Sequence, residues 1–207
     1  MRQLTSRTLL DATEALCRRD PDLRRVVERC GPPPLWARRP GFATLLRIIL
    51  EQQVSLASAR ARYDHLRQHI REVTPEAVAA LGVTGLQALG ITRQKAAYCF
   101  GLSDAILSGR LDLRALAKND DAGTREALLG LHGVGPWSAD IYLLMALRRP
   151  DVWPSGDLAL AEAARQVKRL NRRPSPADLA RLAAGWSPWR AVAARILWHH
   201  YLSTLRH

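Results

Sequence analysis

The chain has 207 residues, 47% of them apolar, enough for a substantial hydrophobic core and too apolar for a disordered protein. Its 31 basic residues against 19 acidic ones leave a formal charge of +12, and all but Lys95, Lys118 and Lys168 are arginine. An excess of that size points to a polyanionic partner, nucleic acid first, because guanidinium groups pair with phosphates and binding releases counterions. An arginine-rich codon usage would raise the arginine count without by itself leaving so large a net charge.

Apolar residues recur at helical spacing over residues 4–18, 22–29, 42–52, 55–73, 93–107, 124–129, 137–147 and 158–170. Three more helix starts carry a Ser or Thr cap followed by Pro: TPEAVAAL from Thr74, SPADLARLAAG from Ser175 and SPWRAVAARILWHHYL from Ser187. Breaks are expected at residues 30–41, 81–92, 131–140 and 148–157. Alternating strand patterns are almost absent, no repeat period recurs, and the fold class that follows is all-α. Cys17, Cys30 and Cys99 are odd in number and widely spaced, so they predict no disulfide framework, zinc site or iron–sulfur cluster. His199 and His200 are adjacent on a helix and cannot share a metal from one face. The opening stretch has no long apolar core and no segment approaches a membrane span, so the expectation is a monomeric intracellular protein, cytoplasmic and associated with the nucleoid.

The break LHGVGPWSAD, residues 131–140, is the most informative stretch. A Gly-x-Gly invites a dinucleotide-binding reading, but that fingerprint needs a third Gly or Ala where Ser138 stands, and a preceding strand where REALLGL is helical. What remains is a helix, a glycine hairpin and a second helix opening at Pro136. Glycine permits backbone angles closed to other residues and a close approach of the main chain. Amides at the start of a helix attract an anion, so the turn suits a DNA phosphate; a plain αα-turn in a core is the alternative.

Taken with its continuation to Asp157, this stretch resembles the signature of the helix-hairpin-helix (HhH-GPD) DNA glycosylase superfamily, in its 3-methyladenine DNA glycosylase II branch. PGFATLLRIILEQQVSLASA, residues 40–59, is similar to that family's helix ending in Gln-Gln. WSPWRAVAARILWHHY, residues 186–201, is similar to its C-terminal helix. The resemblance runs from about residue 40 to the end of the chain. It implies a single domain of two helical lobes, about 1–50 with 151–207 and about 51–150, with an active-site cleft between them.

The same resemblance implies the chemistry. Asp157 matches the catalytic aspartate that stabilises positive charge on the sugar or orients the attacking water; read locally, it is a helix N-cap. Trp137 stands where lyase members of the superfamily carry a lysine, and a Schiff base requires an amine. The implied enzyme is therefore a monofunctional hydrolase of the N-glycosidic bond, excising alkylated purines such as 3-methyladenine and 7-methylguanine in base excision repair. Trp137 and Trp198 match pocket aromatics, which favour a cationic base by ~1–2 kcal/mol when desolvated. Ile141 stands where some relatives have tyrosine, with Tyr142 beside it; both are expected at the base pocket. Trp36, Trp153, Trp186 and Trp189 are expected to pack in the core.

Gly133, Gly135, His132 and Pro136 are the expected phosphate contacts, and Gln52 and Gln53 the residues facing DNA, with Gln53 as the wedge that fills the gap left by a flipped nucleotide. The carbonyls of Leu129, Leu131 and Val134 match those that hold a monovalent cation, Na+ or K+, in relatives; no other cofactor is implied. The partner implied is double-stranded DNA containing alkylated bases. Two other readings stay open: a non-catalytic damaged-DNA-binding protein, and a glycosylase for deaminated bases.

Overall fold

The computed structural model describes residues 3–205, and every regular element among them is helical. They form two compact units, one of residues up to Ala37 with those from Leu143 on, the other of Arg38–Tyr142. Both divisions fall earlier than the expected points near residues 50 and 150. The reason lies in helix α3 (Phe42–Glu51), which packs on α4 (Leu56–Ile70), α6 (Arg93–Leu107) and α9 (Pro136–Ile141), all in the second unit.

In the first unit, α1 (Ser6–Arg19) and α2 (Pro21–Cys30) pack with α10 (Leu158–Val167), α11 (Pro176–Ala184) and α12 (Arg190–Thr204). Helix α12 is the centre: each residue from Ala191 to Trp198 is buried, the pattern of a helix covered on all sides. Its Arg195 is buried without a carboxylate partner, so its N–H groups must be satisfied otherwise. They donate to the carbonyls of Leu35 at 2.9 Å, Ala191 at 2.9 Å and Leu144 at 2.8 Å. Burial pulls this guanidinium down to about 10, still protonated at neutral pH.

Asp20 organises the other end of the unit. Its Oδ1 caps α2 by accepting the amides of Asp22 and Leu23, and its carboxylate also accepts Lys168 Nζ and the Trp186 indole N–H, each at 2.7 Å. Trp153 and Trp186 pack together at a ring separation of 5.6 Å, as core residues. Trp36 and Trp189 are only half-buried, because Trp36 sits at a left-handed turn (φ 46) and Trp189 at the start of α12.

The second unit holds α3 to α9, with α5 (Pro75–Ala88) lying along α6, and α7 (Leu113–Leu116) against α8 (Asp121–Leu129). The Thr74 and Ser175 caps form as expected, accepting the amides of Ala77 and Asp178. Ser187 does not cap a helix: α12 starts only at Arg190, and Asp151 accepts both the Arg190 amide and the Ser187 hydroxyl. A carboxylate from the loop before α10, distant in sequence, displaces the local serine.

The expected break over residues 81–92 is also shorter than read. Gly82 leaves helical geometry (φ 62, ψ −178), yet the chain regains it through Ala88 because Leu86 is buried there. Helix α9 stops at Ile141 and continues as one wider π turn, Tyr142–Ala146, rather than as α-helix to Leu147. Helix α7 escaped the pattern because four residues are too few to show a period.

Candidate active site

The hairpin joins α8 to α9 within the second unit. Gly133 adopts φ 88, in the left-handed region, and lies directly on the ring of Tyr98 from α6, so a side chain at that position would strike the ring. The Tyr98 hydroxyl accepts Gln94 Nε2 at 2.8 Å, and the ring meets His132 edge-on at 4.9 Å. His132 itself is exposed. Helix α9 opens at Gly135 and Pro136 with no side-chain cap, which leaves its start suited to an anion. An ion pair between Arg125 of α8 and the fully buried Asp140 of α9 clamps the two helices of the motif.

The Leu131 carbonyl accepts the Val134 amide at 3.1 Å and so closes the turn. Among the described residues no group of His, Cys, Asp and Glu could hold a metal.

The end of α3 is tied to the hairpin. Gln52 Nε2 donates to the Gly133 carbonyl and to Ser138 Oγ, both at 2.8 Å. Lys95 Nζ donates at 2.7 Å to the carbonyls of Leu50 and Gln52, and burial pulls this ammonium below its ordinary value. Buried Glu51, between them, pairs with Arg38 and Arg47. The side chain of Gln52 thus points towards the hairpin within its own unit, where the Gly133 carbonyl and the buried Ser138 hydroxyl accept its amide. Gln53 is exposed at φ 53, and Val54 and Leu56 beside it are 45% and 61% exposed.

Ile141 and Tyr142, expected at the base pocket, are 2% and 0% exposed. The Tyr142 hydroxyl accepts the Gly41 amide at 3.0 Å, at the start of α3, and burial pushes the phenol up. Trp137 is half-buried at the start of α9.

In the first unit, Asp157 is the N-cap of α10. Its Oδ1 accepts the Leu160 amide at 2.8 Å and the Trp198 indole N–H at 3.3 Å. The residue is buried, while Leu158 beside it is 71% exposed, so the carboxylate sits just beneath the surface. Tyr98, Arg125, Asp140 and Lys95 were not singled out in the sequence. Only Asp140 carried a signal, as the last residue of the hairpin stretch.

The family model for the HhH-GPD superfamily of base excision DNA repair proteins matches residues 46–188, and the chain belongs to that superfamily. Over 123 residues the chain is 28% identical to a DNA-3-methyladenine glycosylase of Bacillus subtilis, covering 59% of this chain and 41% of that protein. The chain thus spans less than half the length of that relative. In fold it is similar to the Schizosaccharomyces pombe 3-methyladenine DNA glycosylase Mag1, solved with abasic DNA. The TM-score there is 0.79 at 23% identity, over 91% of this chain and 95% of that one. It is also similar to a Clostridium acetobutylicum 8-oxoguanine glycosylase/lyase solved with double-stranded DNA. That match has a TM-score of 0.80 at 17% identity, over 95% of this chain and 70% of that one.

Proposed function

We propose that the protein is a DNA glycosylase that hydrolyses the N-glycosidic bond of alkylated purines, of the 3-methyladenine and 7-methylguanine type, without a lyase step. The observation that carries this reading is Asp157: a carboxylate at a helix start just under the surface, held through one oxygen by two N–H donors. Positive charge that develops on the sugar as a base departs is stabilised by such a fixed carboxylate, which can also orient the attacking water. The hairpin supports the DNA partner, with Gly133 and Gly135 bringing the backbone close to a phosphate. The carbonyls of Leu129, Leu131 and Val134 would hold a monovalent cation, which when bound adds positive charge beside that phosphate.

The lyase step is left out because the hairpin itself carries no amine. Trp137 cannot form a Schiff base. Lys95 is committed to the carbonyls of Leu50 and Gln52, and Lys168 to Asp20 and Asp22. Alkylated purines suit an enzyme that does little to activate the leaving group, since the positive charge on the base already weakens the bond. The relative from Bacillus subtilis, named for 3-methyladenine, supports the same class.

The test is to incubate methylated duplex DNA with wild type and with Asp157→Asn, and to measure free 3-methyladenine, 7-methylguanine and hypoxanthine. Asparagine caps a helix as well as aspartate, so the variant should fold. Loss of base release by ~100-fold or more in Asp157→Asn is expected, a few kcal/mol of transition-state stabilisation. No release by wild type would end the enzyme reading, and equal release by the variant would remove Asp157 from the chemistry. Borohydride added during turnover should trap no protein–DNA adduct; a trapped adduct would restore a lyase step.

A further inference from the structure

The first unit gives Trp198 a different task from the one its family position implies. A base-stacking aromatic needs an open face, yet Trp198 is 8% exposed, at the end of the most buried stretch of α12. Its single polar atom is aimed at the carboxylate assigned to catalysis: Nε1–H donates to Asp157 Oδ1 at 3.3 Å. The same oxygen accepts the Leu160 amide at 2.8 Å, so donors from two different helices, α10 and α12, converge on it.

Two donors at one oxygen fix the plane of a carboxylate, which would otherwise turn about its Cβ–Cγ bond. The second donor is itself held firmly. Arg195, three residues before Trp198 and on the neighbouring turn of α12, is bonded to carbonyls of Leu35 and Leu144 as well as to Ala191 of its own helix. The helix that carries the indole is therefore pinned to two separate segments of the unit.

We propose that Trp198 is a positioning residue for Asp157: its indole N–H holds the carboxylate oriented, and its ring does not stack on the excised base. The proposal rests on the glycosylase reading, and its consequence is specific. Removing the N–H while keeping the ring slows the chemical step and leaves DNA binding alone. Removing the ring harms binding only if the ring touches the base.

The experiment replaces Trp198 in the full chain by 3-benzothienylalanine, a bicyclic ring of nearly the same shape with sulfur in place of N–H. Trp198→Phe serves as a second, genetically encoded variant. Three quantities are read: the single-turnover rate of 7-methylguanine release at saturating protein, the Kd for a duplex carrying an abasic-site analogue, and the thermal midpoint. The benzothienyl variant should lose about tenfold to a hundredfold in rate, the worth of one hydrogen bond to a charged group, with Kd and midpoint at wild-type values.

A wild-type rate in that variant overturns the proposal, as does a rate deficit that vanishes when binding is saturated. A fall in midpoint large enough to account for the lost activity overturns it too. Failure of the glycosylase reading is separate and visible, because wild-type protein would then release no base at all.

Discussion

Replacing Gly133 by alanine tests how the hairpin is built, because the added methyl group meets two distinct obstacles. The backbone there is left-handed, at φ 88, which costs an L-residue about 1–2 kcal/mol. The methyl group would also lie 2.5 Å from both Cδ atoms of Tyr98 and closer still to Cγ, where carbon atoms normally sit about 3.5–4.0 Å apart. The ring must retreat by more than about 1 Å, giving up its edge contact with His132, and overpacking of that kind costs about 1–3 kcal/mol. Urea unfolding should show Gly133→Ala destabilised by about 2–5 kcal/mol, the two costs together. Combining it with Tyr98→Ala separates them: without the ring, the same substitution should cost only the backbone part, about 1–2 kcal/mol. An equal cost in both backgrounds would refute the idea that Tyr98 seats the hairpin through Gly133.

Gln52→Leu removes the donor shared by the Gly133 carbonyl and Ser138 Oγ. It should lower stability by about 1–3 kcal/mol and quicken hydrogen exchange of the hairpin amides; unchanged exchange would mean that Gln52 is no anchor. The pH dependence of stability should trace to Asp20. Burial alone would push its carboxyl up, but hydrogen bonds from Lys168 and Trp186 and the Lys168 charge outweigh this and hold it below the ordinary value. A depressed folded pKa contributes stability that is present above the unfolded value, about 3.9, and is lost as pH falls through the folded one. Asp20→Asn should therefore be less stable at neutral pH, with a shallower decline below about pH 4 than wild type; parallel curves would clear Asp20 of that role.

What could be read from the residues alone was largely what is local. Thr74 and Ser175 cap the helices they precede, and the N-cap role of Asp157 follows from its own neighbours. Ser187 looked the same on paper, yet Asp151, far along the chain, takes its place at the start of α12. Gly82 reads as a stop, but burial of Leu86 recruits the following residues into helix. The site divides along the same line. The hairpin glycines announce a close approach, whereas the partner they approach, Tyr98, belongs to a helix whose spacing shows only that it is amphipathic. Two neighbouring glutamines at the end of α3 cannot be told apart by composition. Their different fates, one anchored and one exposed, are settled by which acceptors α9 and the hairpin bring within reach.

The bonds from Gln52 have a mechanical side. They join the hairpin to the root of the exposed segment Gln53, Val54, Ser55 and Leu56, and Lys95 locks that root from below. The exposed tip therefore stands on a base braced from two sides, by the hairpin and by α6.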